Sequence, residues 1–582
     1  MFKIFNKLSW FIKYYKKYYI LVLITMIISN ILIIIPPRLL GIILDDISSK
    51  TLTLEKLYTL VAILVVVVLV HYGSNYIWSY YIFKASDEIE RVTRFRLMKK
   101  YLRQSPKFFE KNTTGSLMGK ATNDVSMISE FAGYGMMAFS DATLYPLAIL
   151  IVMAFSVSFK LTIVSILPLP LLFYATKKIE TILYARFEQV QRSFDRLNDI
   201  VLENISGVRV VRSYTLEKSQ TKEFEEECLD YYEKNMNLVK VASIYGFISR
   251  VIPGLSMVIT IIYGTYLIGV NDLTIGNLVS ATLYINMLVW PMFALGDFAT
   301  IAEQASASMD RINEVLNYKE DLIDNENAII YEGKGNIEFN NLDFYYPTSK
   351  YKVLDNISFV LKNGQSLGVV GKTGSGKTTL VKQLLKMYNL KEKSLKVGKN
   401  YIEDLNTRSL REKIGYVPQR HIVFSKTIED NIKFSDSSKT HEDVEKVVEL
   451  ADFKKDLSQL PQGLNTMAGE RGVSLSGGQK QRISIARALI KEPEILILDD
   501  SLSAVDANTE QKILKNLKEY RKNKTNIITA HRLSAVQHAD LIIVLDNGKI
   551  IEQGTHEELF MKDGWYREQF IHQQLKGEEN GE

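Results

Sequence analysis

The stretch Gly371-Lys372-Thr373-Gly374-Ser375-Gly376-Lys377-Thr378 decides how this chain is read. It fits G-x-x-x-x-G-K-[ST], and its flanks supply the context the pattern needs. Ser366 to Val370 (SLGVV) reads as a short buried strand, and Thr379 to Met387 (TLVKQLLKM) has helical apolar spacing. Glycines let backbone N–H groups turn towards a phosphate with no Cβ in the way. The helix start that follows adds partial positive charge. In such a loop Gly371 to Thr379 hold a nucleotide, Lys377 reaches the outer phosphates and the Thr378 hydroxyl sits on Mg2+. A plain glycine turn between strand and helix is the competing reading, and the rest of the domain weighs against it.

Further chemistry follows at telling places. In Phe344-Tyr345-Tyr346-Pro347, Tyr346 abuts the proline turn and is the better candidate to stack on adenine; the alternative is a strand aromatic in the core. Gln419 closes Gly415-Tyr416-Val417-Pro418-Gln419, where it reaches Mg2+ or the attacking water, unless it is only a polar loop residue. The strand Glu494 to Leu498 (EILIL) delivers Asp499 and Asp500. A carboxylate at the end of a buried strand suits Mg2+, so Asp499 pairs with Thr378. Asp500 stands where a general base for water belongs. His531 follows the strand TNIIT and is placed to contact the γ-phosphate, or else is structural. Leu475, Ser476, Gly477, Gly478 and Gln479 open a helix and make a second anion site. A P-loop and a separate phosphate-binding helix start suggest two domains head to tail, each holding ATP against the other's LSGGQ.

The first half of the chain is of another kind. A net charge of +5 over 582 residues gives no case for nucleic acid, and the single cysteine, Cys228, excludes an internal disulfide. Residues 1–17 are basic and aromatic and read as an interfacial helix with Trp10 at headgroup level. Six apolar runs follow, at about 18–44, 57–83, 135–156, 161–174, 244–270 and 273–298, near the roughly 20 residues a bilayer needs. Pro36-Pro37 is expected to kink the first. Short loops follow runs one, three and five, and long Lys/Arg-rich stretches follow two and four. This puts both termini and the long stretches in the cytoplasm. The long stretches read as helical hairpins with tips near Ser105–Gly115 and Val211–Lys218. The chain divides as a membrane domain (1–316), a linker (317–335), an ATPase domain (336–570) and a polar tail (571–582). The fold class is an all-α six-helix transmembrane domain plus an α/β P-loop domain.

With these residues in place the chain resembles the ATP-binding cassette (ABC) exporters. Walker A GKTGSGKT, the Q-loop YVPQ, LSGGQ, Walker B ILILD, the D-loop Ser503-Ala504-Val505-Asp506 and the switch His531 occur in the family's order. Gly469-Glu470-Arg471-Gly472 resembles the exporters' X-loop. The resemblance implies a half-transporter that pairs with a second chain, two coupling helices at the tips named above, ATP with Mg2+, and a multi-pass place in a bacterial cell membrane. One residue departs from the pattern: most cassettes carry Glu where this chain has Asp500. The carboxylate falls back by about 1–1.5 Å, a displacement that costs on the order of 100-fold in rate. In this the chain is similar to the degenerate-site subunits of heterodimeric multidrug exporters of Gram-positive bacteria, such as a Bacillus pair. The implied partner carries the Glu and uses this chain's intact signature; a homodimer with two slow sites is the alternative.

The cargo is less legible. An ionisable residue at membrane depth is a functional candidate, so Asp141 is expected to attract cationic amphipathic drugs, or else to mark the headgroup boundary. Arg38 and Asp297 raise the same question, with Asp45 or Asp46 expected to pair with Arg38. Trp290 and Met287, with Trp78, Met257 and Met292, are candidates for an adaptable apolar cavity or for helix packing. Drug export leads; a lipid or lipopeptide flippase, and a non-transporting ATP sensor or gated channel, are the alternatives.

Overall fold

Lipid offers the backbone no hydrogen-bond partner, so an apolar run that crosses it closes its own bonds as a helix. A computed structural model describes residues 3–469 and 475–579, and six helices among them are long and apolar enough to cross a membrane. They run Lys16–Ser48, Leu54–Tyr101, Thr114–Ser156, Phe159–Ser206, Glu217–Gly269 and Ile275–Leu316, and each predicted apolar core falls on one of them. The second has 48 residues. At 1.5 Å per residue that is about 72 Å, more than twice a hydrocarbon core of about 30 Å, so its charged end is a continuation beyond the lipid.

The chain divides into two compact units, 1–101 with 115–318, and 102–114 with 319–582. In the first unit, the expected kink of the first span lies ahead of the prolines. The break is at Ile33-Ile34, between helices Lys16–Leu32 and Ile35–Ser48. Pro36 and Pro37 occupy the first turn of the second helix, where a missing N–H costs nothing. Among the described residues Arg38 pairs with no aspartate: its guanidinium donates to Asn277. Asp45 instead accepts from the Thr274 hydroxyl and the Gly276 N–H, both at 2.7 Å, and so caps the start of the sixth span. Asp46 takes the Lys56 ammonium at 2.5 Å. These bonds accompany a close helix crossing. A Cβ on Gly276 would strike the Gly41 carbonyl oxygen, and one on Gly41 would strike the Ser280 hydroxyl.

The N-terminal segment forms helices Lys3–Lys7 and Ser9–Tyr14 that bury Ile4 and Phe11. Trp10 lies under the Arg96 guanidinium, 3.9 Å from its ring centroid, and the Lys7 ammonium bonds Asp310 at 2.7 Å. Asp124 is buried in a π-helical turn, Lys120–Asp124, where Ser308 and Arg311 donate to it. The second predicted tip is a helix, Val208–Ser213, that buries none of its residues.

In the second unit two sheets form. Strands β1 (Ile337–Tyr345), β2 (Lys352–Leu361), β4 (Leu395–Val397) and β5 (Asn400–Tyr401) make an antiparallel sheet in the order β2-β1-β4-β5. Strands β3 (Ser366–Gly371), β6 (Ile414–Val417), β7 (Ile495–Asp499), β8 (Thr525–Thr529), β9 (Leu541–Asp546) and β10 (Lys549–Gly554) make the second, in the order β10-β9-β3-β8-β7-β6. It is parallel except for β10. Every residue of β7 is buried, which its unbroken ILIL run requires of a strand covered on both faces. The first tip belongs to this unit as a helix, Pro106–Lys111, with Phe108 buried. The predicted polar tail is helical through Glu579, in the helix Trp565–Glu579.

The Gly41–Gly276 crossing is testable. Gly276→Ala is expected to destabilise the chain by about 1–3 kcal/mol, because backbone cannot yield cheaply to a new methyl group. Gly73→Ala, with open space around its Cβ, should not. Thermal denaturation in detergent checks both.

Candidate nucleotide site

The P-loop joins the C-terminal end of β3 to the helix Lys377–Leu384. A strand at the middle of a parallel sheet delivers its loop to the crevice where such folds bind ligands. Gly371 (φ 141°), Gly374 (φ 82°) and Gly376 (φ 102°) take left-handed backbone that side chains resist. A Cβ at Gly371 would also strike the Leu545 carbonyl oxygen. The Lys377 ammonium donates to the loop's own carbonyls, Gly371 at 2.8 Å and Lys372 at 2.9 Å. Burial pulls this lysine below its ordinary range, and the Asp500 and Asp499 carboxylates oppose the shift. The Ser375 hydroxyl is buried with no hydrogen-bond partner among the described residues. An orphaned hydroxyl, an ammonium resting on uncharged carbonyls and a glycine cradle fit a triphosphate.

Asp499 ends β7 fully buried. Three hydroxyls donate to its carboxylate: Thr378 at 2.8 Å, Thr529 at 2.9 Å and Tyr416 at 3.1 Å. Burial, then Asp499, pushes the Tyr416 hydroxyl well up, so it remains a donor. The hard-oxygen set of Thr378 and Asp499 fits Mg2+, which when bound neutralises phosphate charge. Asp500 follows at φ 48°, a left-handed conformation Asp tolerates better than most residues. Its carboxylate accepts from Gln419 Nε2 at 3.1 Å, and its N–H donates to the Thr529 hydroxyl at 2.9 Å. Gln419, Asp499 and Asp500 are thus gathered in one place. Sequence reasoning missed Thr529 and Tyr416; Thr529 ends β8 and Tyr416 lies within β6, the two strands beside β7, and only the strand order reveals that.

Tyr346 donates to or accepts from the Thr379 hydroxyl at 2.9 Å, beside the P-loop, while Tyr345 is half exposed. His531 is exposed, and the segment around it is braced: Gln573 donates to the His531 carbonyl at 3.0 Å and accepts from the Leu533 N–H at 2.9 Å. Ser476 caps the helix Gly477–Leu489, exchanging bonds with Gln479, and Leu475 is buried ahead of it. The Gln481 side chain accepts from the Ala504 N–H at 3.2 Å, which fixes the D-loop to this helix. Among the described residues the signature and the P-loop share no hydrogen-bond partner. Of the predicted X-loop, Glu470, Arg471 and Gly472 lie outside the described residues.

In the membrane unit, Trp290 Nε1 donates to Asp141 at 2.9 Å, which joins two of the predicted cargo residues. Met287 packs, partly buried, against the cluster around Tyr284 and Leu288, and Trp78 against Val22, Met26 and Ile82. Asp297 accepts from the Tyr134 hydroxyl at 3.0 Å, and Glu180 hydrogen-bonds Tyr245, whose ring lies against Phe293. Residues 290, 293 and 297 share one face of the sixth span by helical spacing.

Known proteins resemble the chain throughout. Residues 19–292 match the family model of the ABC transporter transmembrane region, and residues 354–503 that of the ABC transporter. A Bacillus subtilis protein, probable multidrug resistance ABC transporter ATP-binding/permease protein YheI, is 44% identical over 100% of this chain and 99% of its own length. An ATP-dependent lipid A-core flippase of Pseudomonas fluorescens is 30% identical over 88% of this chain and 85% of its own. A solved bacterial Atm1-family ABC exporter with ATP bound has the same fold, with a TM-score of 0.76 and 23% identity over 96% of this chain and 98% of that one.

The position of Tyr346 gives a direct test. Loss of one base-stacking aromatic should weaken ATP binding about tenfold. Tyr346→Ala is therefore expected to raise the Kd for ATP by that factor in equilibrium binding to the full chain, and Tyr345→Ala to leave it unchanged.

Proposed function

The chain belongs to the ABC transporter family, as an ATPase of six membrane spans and one cytoplasmic cassette, and we propose that it is one half of a heterodimeric exporter of hydrophobic and cationic amphipathic drugs. The observation that carries the asymmetric part is Asp500. It stands at the end of β7 within reach of Gln419, beside an Asp499 that is fully hydrogen-bonded, so the site is assembled around a base one methylene short. Lys377, Ser375 and the loop N–H groups hold the triphosphate, Tyr346 takes the base, and Thr378 and Asp499 hold the cation. Asp500 accepts the proton of the attacking water slowly. Gln419 orients that water and His531 faces the γ-phosphate. Ser476 to Gln479, capped and intact, complete the site of a partner that carries Glu.

Phosphates held from both faces favour closure of the two cassettes while the γ-phosphate is present. Two-state coupling then carries closure to the spans, and hydrolysis resets it. The unburied helix Val208–Ser213 is suited to dock on the partner's cassette. Drug cations are supported by the Asp141–Trp290 pair and by the acids and aromatics near it on the sixth span, and by the name of the relative from Bacillus subtilis. Lipid export is the second reading, and the flippase among the relatives is what favours it.

Purified alone, the chain is expected to hydrolyse ATP on the order of 100-fold more slowly than when co-expressed with its neighbouring half-transporter, and Asp500→Glu should speed the lone chain most. Equal turnover of the lone chain and the pair would remove the asymmetry. Asp141→Asn should cut transport of ethidium by the pair severalfold while sparing a neutral dye; about 1 kcal/mol of lost cation attraction is a factor of about five. ATPase stimulation by a phospholipid or lipopeptide, with none by ethidium, would favour the second reading.

A further inference from the structure

The first cytoplasmic tip and the base-binding end of the nucleotide site are joined by a short run of side chains. On one side the tip is tied to the linker: the Ser105 hydroxyl donates to Asp321 at 3.1 Å and Lys107 reaches the same carboxylate at 3.5 Å. On the other side the Glu110 carboxylate accepts from the Tyr388 hydroxyl at 2.8 Å and from Thr348 at 3.4 Å. The Tyr388 ring meets Tyr346 edge-on, with centroids 5.5 Å apart, and both meet Phe344 in the same way at 5.3 and 5.1 Å. The Tyr346 hydroxyl then bonds Thr379 in the helix that begins at the P-loop. Burial, then the Glu110 carboxylate, pushes the Tyr388 hydroxyl far above working pH, so it stays a donor.

We propose that Glu110 and Tyr388 are positioning residues that hold Tyr346 in register for the base of the nucleotide, so that the seating of the tip and the binding of ATP depend on each other. This rests on the reading of Tyr346 as the base platform. Three mutually edge-on rings do not turn independently, since each edge lies against a neighbour's face. A base stacked on Tyr346 fixes its plane, and that plane sets where Tyr388 points its hydroxyl. The hydroxyl meets a charged acceptor, which makes the bond among the stronger and more directional ones. Glu110 is exposed on its far side, so its loss leaves no cavity. Binding linkage makes the dependence reciprocal: whatever seats the tip tightens ATP, and ATP seats the tip.

The test uses the full chain, with Tyr388→Phe, Glu110→Ala and the double variant. The first removes the donor of the tip's bond and keeps the ring, and the second removes the acceptor, an exposed side chain. The Kd for ATP should rise about fivefold in each single variant, and no further in the double, because both remove one interaction. Binding of inorganic tripolyphosphate, which has no base, should not change. Unaltered ATP affinity in both single variants overturns the proposal. So does an equal loss of tripolyphosphate affinity, or effects that multiply in the double variant. The Tyr346→Ala binding measurement tests the platform separately: if Tyr346→Ala binds ATP normally while Tyr388→Phe does not, the platform reading fails and the tip still acts on the site by another route, which also overturns the register proposed here. In a parallel arm, absence of ethidium-stimulated ATPase in the wild-type pair would sink the drug-export reading and leave the result of the binding arm intact.

Discussion

A buried carboxylate is tolerated only when it is fully hydrogen-bonded, and Asp499 meets that condition with hydroxyls from three separate elements. Thr378 comes from the P-loop helix, Tyr416 from β6 and Thr529 from the end of β8. Tyr416 and Thr529 would each lose this partner if their strand slipped by one residue, because a slip turns the side chain to the other face of the sheet. The polar centre therefore enforces the register of the parallel sheet, and the register brings Gln419 to Asp500. The glycine loop, the capped signature helix and the D-loop are arranged around a sheet held in this way.

Within the membrane part the same need takes other forms. Arg38 finds Asn277, Asp45 finds backbone and hydroxyl donors at the head of the sixth span, and Asp124 is matched by Arg311 and Ser308. Polar groups that would be costly in lipid are used to set one helix against the next. Where close approach is needed, glycine permits it, at Gly41 and Gly276. Asp141, Glu180, Asp297 and Asp310, on or near the sixth span, each have a hydrogen-bonding partner as well. Partnering thus separates none of these four from the rest; Asp141 stands out because its partner is the indole of Trp290.

Much of this was legible in the sequence, and for identifiable reasons. Hydropathy over a window is a property of contiguous residues, so the six spans could be read directly. The P-loop is a contiguous backbone device, so its glycines and Lys377 could be read as well. Legibility ended where the partner lies far along the chain. Tyr388 and Glu110 are 278 residues apart, and Arg38 and Asn277 are 239 apart, so neither pair leaves a local pattern. The expected Arg38 pairing with Asp45 or Asp46 failed because both aspartates were already engaged at a neighbouring helix start and by Lys56. The kink of the first span moved ahead of Pro36-Pro37 because a helix accepts proline in its first turn more readily than in its interior.

The two bonds made by Gln573 reach well beyond local bracing. This side chain holds the carbonyl of His531 and the N–H of Leu533 from the helix Trp565–Glu579. That helix is therefore part of the frame that sets the angle of the switch segment. A strain placed on that helix is therefore carried, through one amide side chain, to backbone that lies 42 residues earlier in the chain at His531.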